Sequence, residues 1–310
     1  MLSETITGLL RRAEINATLC PVGVLPIGMT NAFSLKLTNP KERPMNKVER
    51  VKSMADASLA IVKGKVQKKD VMKIQLIDTV DGEEPKKPIY AVGSLHWGAF
   101  RDIVLKKERY WVTGPLRTYT AFLFNGFHRS DIQWNCKADL MYTDPCAGCS
   151  NCFVKQESRV KKLHNARWWA KYTPIDKDSS PDYSKVLNPN CNNNSQASFD
   201  SVEFILSTNT MENGDESKPK MTIKIDSTPD NYGIDFILNS WKRLWNQKYH
   251  EIPEKRTMEA RSITLLPERP QQENPDEDEK ESFYTIDNEN YEVKPVKITL
   301  IPQRVEFFAL

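Results

Sequence analysis

A chain of 310 residues with 39% apolar and 27% charged side chains is long enough to bury two cores and too apolar for wholesale disorder. Its net charge of +3 argues against a dedicated nucleic-acid binder, and no apolar run reaches the roughly 20 residues that span a bilayer. Six cysteines are too few for a disulfide scaffold, yet four of them fall between Cys136 and Cys152.

In chain order, Ser3–Arg12 sets Ile6, Leu9 and Leu10 on one face and predicts a short helix. The opening Met1-Leu2-Ser3-Glu4 has no basic targeting region. Pro21–Ser34 reads P-V-G-V-L-P-I-G-M-T-N-A-F-S, in which the apolar run Val22–Leu25 breaks at Pro26 and Gly28 and passes through Thr30 and Asn31 into a helix start. A buried strand feeding such a turn leaves backbone N–H groups and a helix N-terminus for an anion. Lys47–Val62 carries Val48, Val51, Ala55, Leu59 and Val62 at helical spacing, with Gly64 placed to cap the helix. After Gly64 the period changes to two, in Met72, Ile74 and Leu76 and again in Ile89, Ala91, Gly93 and Leu95, joined by the polar stretch Asp81–Lys87.

Pro115–Phe127 is expected to be helical, with Pro115 in its first turn. Ile132, Trp134, Cys136, Ala138, Leu140 and Tyr142 alternate through the clearest strand, which turns Cys136 inward as an inert thiol. Residues 143–198 lose the period and are expected to form a long insertion. Strands resume at Val202–Leu206 and Met221–Ile225, and Ile234, Ile237, Trp241, Leu244 and Trp245 predict an amphipathic helix. Residues 267–281 compose a mobile acidic loop, and strands close the chain at Phe283–Ile286, Val293–Leu300 and Val305–Phe308. This order predicts an α+β fold: the end of an α/β domain in 1–64 and a larger β-rich domain in 65–310.

Three groups of residues suggest chemistry. Phe283–Glu289 is an apolar strand ending in Asp287 and Glu289, two apart. It is either a hairpin whose turn is acidic, since Asp and Asn favour turns, or a pair in which one carboxylate orients a hydroxyl and the other serves Mg²⁺. Gly93–Asp102 mixes glycines, aromatics and charge after a strand, as a packed strand-to-helix corner or a binding segment. Cys146-Ala-Gly-Cys149-Ser-Asn-Cys152 has thiols that can share a zinc ion with Cys191 or His164 as fourth ligand, form a disulfide, or stay unpaired. Beyond it, Lys155–Tyr172 interleaves Trp168, Trp169 and Tyr172 with six basic residues, a pattern suited to an anionic membrane surface or to an ordinary amphipathic helix.

The first two groups, with the Pro21–Ser34 turn, resemble the catalytic family of diacylglycerol kinases, nearest its mitochondrial acylglycerol kinase branch. The stretches that carry the resemblance are T-G-L-L-R-R at Thr7–Arg12, V-G-V-L-P-I-G-M-T-N at Val22–Asn31, D-A-S-L-A-I-V-K-G at Asp56–Gly64, W-G-A-F-R-D at Trp97–Asp102, Y-W-V-T-G-P-L-R at Tyr110–Arg117 and S-F-Y-T-I-D-N-E-N-Y-E-V at Ser282–Val293. The resemblance implies an α/β nucleotide-binding domain, of which 1–64 is a remnant, followed by a β-sandwich domain. It implies ATP- and Mg²⁺-dependent phosphorylation of a mono- or diacylglycerol. Gly28, Thr30 and Asn31 match the nucleotide turn, Asp287 the base and Glu289 the magnesium partner, with Asn288 where the family usually has glycine. Asp102 matches an acidic position facing the lipid head group, Trp97 and Phe100 flank it, and Arg109 and Arg117 fall where phosphate-binding basic residues are expected.

The resemblance also implies a mitochondrial inner-membrane location facing the intermembrane space. It leaves open an alternative role as an assembly subunit of an inner-membrane protein translocase. The family's G-G-D-G-T loop, which precedes the helix matching Ser3–Arg12, is not in this sequence. Residues 1–310 alone are therefore expected to phosphorylate lipid weakly or not at all, and their sheet to keep an open edge.

Overall fold

The computed structural model describes residues 2–13, 20–28, 31–38, 47–77, 87–127, 132, 134–146, 149–150, 186–189, 191, 193–209, 219–226, 233–245, 252, 255–268 and 282–309. Three helices come first: α1 (Leu2–Ala13), α2 (Ala32–Thr38) and α3 (Lys47–Lys63). They are followed by β1 (Val66–Leu76), β2 (Ile89–Ala91), β3 (Ser94–Gly98), α4 (Ala99–Leu105), a 3-10 segment (Lys106–Leu116) and α5 (Arg117–Phe127). Next are β4 (Cys136–Thr143), β5 (Asn194–Ser201), β6 (Glu203–Thr208), β7 (Met221–Asp226) and α6 (Ile234–Trp245). The chain ends with β8 (Lys255–Ala260), β9 (Ser262–Pro267), β10 (Phe283–Ile286), β11 (Glu289–Glu292) and β12 (Val296–Phe308).

The fold is α+β, built on two antiparallel six-stranded sheets, ordered β2-β1-β12-β9-β4-β5 and β11-β10-β3-β6-β7-β8. They face one another across one core. Met72, Ile74, Leu140, Ile263 and Ile298 of the first sheet meet Leu95, Trp97, Leu206, Ile223 and Tyr284 of the second. Alternation puts these residues on one face of each strand, and burying each contributes about 1.5–3 kcal/mol, which is what holds the layers together.

A second cluster joins Phe100 and Ile103 of α4 to Phe122 of α5, Leu244 of α6 and Trp134. A third lies on the outer side of the first sheet. Ile6 and Leu10 of α1 and Leu37 of α2 pack there against Val71, Tyr90, Val305 and Phe307. Thr7 Oγ1 accepts the Tyr90 N–H at 3.0 Å, which docks α1 on β2. Val22 bridges Phe307 in parallel, its N–H reaching the Glu306 carbonyl at 2.8 Å. Gly64 ends α3 at φ 67°, its N–H bonded back to the Ala60 carbonyl.

Four expectations change. The alternation through residues 89–95 is not one strand: β2 and β3 lie in different sheets, and Val92-Gly93 is the crossing between them. The expected insertion at 143–198 ends inside β5, paired with β4 from Cys136↔Ser201 to Thr143↔Asn194. β5 is an edge strand whose exposed positions are Asn194, Gln196, Ser198 and Asp200, so it lacks the apolar run of a central strand. The Pro115–Phe127 helix begins at Arg117, because Gly114 breaks the preceding 3-10 segment at φ 55°. The last two expected strands are one, β12, which bends where Asp70 accepts the Gln303 N–H at 2.9 Å.

Candidate active site

Asp287 and Asn288 form the two-residue turn between β10 and β11, with Ile286 opposite Glu289 and φ values of 46° and 72°. Two left-handed residues make the mirror-image turn that matches strand twist, and Asp and Asn adopt it readily. The turn carries the Asp287 side chain to the crossing between β2 and β3. There Oδ2 accepts the Val92 N–H at 2.8 Å, while Oδ1 accepts the Gly93 and Ser94 N–H groups at 2.9 Å each. The Asp287 N–H returns a bond to the Ser94 carbonyl, and Thr208 ties down the Val92 and Gly93 carbonyls. Burial pushes the Asp287 carboxyl up to about 6, opposed by the three N–H bonds and assisted by the nearby Glu289 charge.

Glu289 is held through Oε2, which accepts the Tyr291 hydroxyl at 2.9 Å. Burial and Glu289 raise that phenol to about 12, and Ser3 and Glu4 at the start of α1 also act on it. The α1 N-terminus therefore stands beside the acid pair, with its backbone N–H groups at that end. From the other side, Arg101 of α4 donates Nη2–H to Asn288 Oδ1 at 3.1 Å. Its buried Nε has no hydrogen-bond partner among the described residues, and burial lowers its pKa against the raising effect of Asp102. Two carboxylates, a guanidinium and a helix N-terminus converge here.

Of the residues expected at the nucleotide turn, Thr30 lies outside the described residues. Asn31, at φ 47°, donates Nδ2–H to the Gly28 carbonyl at 2.6 Å, and Ser34 Oγ–H holds the Val24 carbonyl at 2.9 Å. Val24 and Phe33 pack in the third cluster, which also contains Val92 beside the Asp287 cradle. Trp97 and Phe100 were expected at the lipid and are core residues instead, 1% and 2% exposed. Trp97 lies between Phe199 and Tyr284, and Phe100 lies under the Arg243 guanidinium at 3.7 Å. Arg243 in turn forms a buried bidentate pair with Glu203 at 2.7 and 3.0 Å. Asp102 is half-buried on α4. Arg117 is paired with Glu108 at 2.7 Å on the surface, and Arg109 is exposed on the same 3-10 segment.

Sequence reasoning missed Arg101 and the Val92–Ser94 backbone. The available signal was two consecutive buried apolar residues, Ala91-Val92, running into Gly93, which no single two-faced strand accommodates. Cys146, Cys149 and Cys191 are brought together, with all their sulfurs within 4.8 Å of one another. Cys152, His164 and the basic aromatic stretch Lys155–Tyr172 lie outside the described residues, as do 269–281 of the acidic loop.

The family model for the acylglycerol kinase C-terminal region matches residues 92–310. The mitochondrial acylglycerol kinase of Homo sapiens is 28% identical, over 99% of this chain and 66% of that protein. The Mus musculus counterpart is also 28% identical, with the same coverage of 99% and 66%. The chain thus spans about two thirds of the length of these curated relatives. A crystal structure from Bacillus anthracis assigned as a diacylglycerol kinase aligns over 100% of this chain and 75% of that one, at 14% identity and a TM-score of 0.48.

Proposed function

The chain belongs to the acylglycerol kinase C-terminal family, and from that premise we propose that it transfers the γ-phosphate of ATP to a hydroxyl of mono- or diacylglycerol. The products are lysophosphatidic or phosphatidic acid. The observation that carries the reading is the half-buried Asp287 carboxylate, pushed up to about 6 and fixed on three N–H groups beside Glu289 and Arg101.

Oδ2 takes one of those bonds and keeps a lone pair for the acceptor hydroxyl. A carboxylate near 6 is ionised at neutral pH yet basic enough to take a proton. The acceptor oxygen bonds to the γ-phosphorus, its proton passes to Asp287, and ADP leaves. Magnesium prefers one or two carboxylates, waters and phosphate oxygens, which suits Glu289 alone or with Asp287. When bound it would neutralise phosphate charge. Arg101 and the α1 N-terminus supply further positive potential, and Gly28, Thr30 and Asn31 border the nucleotide. Asp102 faces the glycerol hydroxyls, and Arg109 lies toward phosphate.

The substrate is a lipid and must be met at a surface. Trp111, Val112, Leu116, Phe124, Phe127 and Trp245 are exposed on the 3-10 segment, α5 and α6, the elements packed around α4. Such a cluster fits an anionic membrane face. Among the described residues no helix is long and apolar enough to cross a membrane. The curated relatives are named as mitochondrial, and we extend that location to this chain.

The test is transfer of labelled γ-phosphate to monoacylglycerol in mixed micelles, by residues 1–310 and by Asp287→Asn. Slow transfer by the unsubstituted chain, lowered at least about a hundredfold by the substitution, is expected. Transfer at equal rates by both proteins refutes the reading.

A further inference from the structure

We propose that Cys146, Cys149 and Cys191 bind a structural zinc ion that fastens together the two ends of the connection between β4 and β5. This site is separate from the phosphoryl-transfer chemistry and does not depend on it.

The geometry comes first. The three sulfurs lie within 4.8 Å of one another. Tetrahedral zinc with Zn–S bonds of about 2.3 Å separates its sulfurs by about 3.8 Å, so small side-chain adjustments close the site. The residues are 8%, 0% and 2% exposed, and none is in a disulfide. Packing does not explain their meeting. Among the described residues they form a buried cluster that contains no other apolar residue, and three thiols bury too little surface to hold irregular chain together.

Two donors fix the orientation of the sulfurs. Asn188 donates Nδ2–H to Cys146 Sγ at 3.4 Å, and Arg261 donates Nη1–H to Cys191 Sγ at 3.5 Å. N–H donors against sulfur orient the ligands, as the outer partners of a metal site do. Arg261 is itself fixed, through its backbone N–H on the Thr143 carbonyl and Nη2 on the Cys191 carbonyl.

The placement gives the ion a task. Cys146 and Cys149 follow β4 directly and Cys191 leads into β5, an edge strand. The ladder between those strands ends at Thr143↔Asn194. A metal cross-link there lowers the entropy cost of closing the connection and steadies the edge. Thiolates select zinc over magnesium, and binding releases a proton from each thiol that ionises. Among the described residues the other two thiols do not compete, because Cys136 is sealed in the sandwich core with its pKa raised by burial and Cys20 is exposed elsewhere.

The test is metal analysis of the purified 310-residue chain by plasma mass spectrometry after dialysis without chelator. One zinc per chain is expected, unchanged in Cys20→Ser and lost in Cys191→Ser. Because Cys191→Ser can misfold, a second measurement uses the unsubstituted protein: replacing zinc with cobalt(II) should give the intense sulfur-to-cobalt absorption and tetrahedral bands of a thiolate site. Thiol titration should also count at least three more reactive groups after chelation. Metal-free protein with all thiols titratable, or an intact mass two hydrogens short with a disulfide among these cysteines, overturns the proposal.

Discussion

Replacing Asp287 by Asn should change how the protein's stability depends on pH, by an amount the structure fixes. Folding lifts this carboxyl from 3.8 to about 6, mainly through burial. Two units at about 1.36 kcal/mol each make its ionisation cost about 3 kcal/mol at neutral pH. Between those two values the folded chain holds a proton that the unfolded chain has released. The stability due to the neutral carboxyl is therefore complete below about 3.8 and is lost as pH rises through about 6. Asparagine has no such proton. Its carbonyl can keep the Gly93 and Ser94 bonds, but its amide sets N–H against the Val92 N–H, a loss of about 1–3 kcal/mol. At pH 7 relief and loss nearly cancel. At pH 4.5 most of the relief is gone, and the variant should fall behind the unsubstituted chain by about 2 kcal/mol more. Urea unfolding followed by tryptophan fluorescence at the two pH values measures this double difference, in which the other titrating groups cancel. Parallel behaviour of the two proteins would show that the carboxylate is neither buried nor raised, and the proposed base would lose its physical basis.

Arg101→Ala should lower kcat/KM for lipid phosphorylation by about tenfold to a thousandfold, with Arg101→Lys restoring part of it, because the guanidinium faces the acid pair where charge develops. Unfolding in urea should barely change, and a loss confined to stability would make Arg101 a scaffold residue. Gly98→Ala should yield insoluble protein or cost more than about 3 kcal/mol. Its φ is 121°, and a Cβ would sit 2.2 Å from the Val202 carbonyl oxygen. Near-normal unfolding of that variant would refute the close pairing of β3 with β6 at Gly98↔Glu203. Arg243→Ala should cost about 3–5 kcal/mol by leaving Glu203 buried without its partner. Glu203→Leu with Arg243→Met should be milder than that single change, which unfolding midpoints would decide.

Elements with one buried face were legible in the sequence. α1, α3 and α6 lie within two residues of their expected bounds, because apolar residues at helical spacing report burial directly. β4 was legible from Cys136, Ala138 and Leu140, but Ile132 and Trp134 continue the same alternation before the strand and feed the α4–α5–α6 cluster instead. Periodicity reports burial, not the layer in which a residue is buried. β5 escaped because half of an edge strand faces water. The acid pair at Asp287 and Glu289 could be found because turn chemistry is local. Arg101 could not, since its partner Asn288 is 187 residues away and only the sandwich brings them together. Cys191 appeared in the sequence as one of two alternatives for a fourth zinc ligand, and the fold makes it one of the three cysteines that meet.

The positions that carry the polar chemistry share a cause in the topology. A strand inside a ladder has its N–H and C=O groups already bonded, so little of its backbone is available to a site. Groups are released where the chain leaves one sheet for the other. Val92-Gly93 crosses between β2 and β3, and the freed N–H groups cradle Asp287. Val202 crosses between β5 and β6, and its carbonyl accepts the Ala99 N–H that starts α4, the helix bearing Arg101 and Asp102. Arg261 crosses between β8 and β9, and its side chain reaches Cys191. A β-sandwich whose chain passes repeatedly between its sheets generates such points at its rim. There the backbone is held by its neighbours on both sides but is not saturated with hydrogen bonds. Substitution at the crossings keeps these backbone groups, so the cost falls on the side chains that bond to or from them: changes at Asp287 and Arg261 are expected to be tolerated less than changes at equally exposed loop residues.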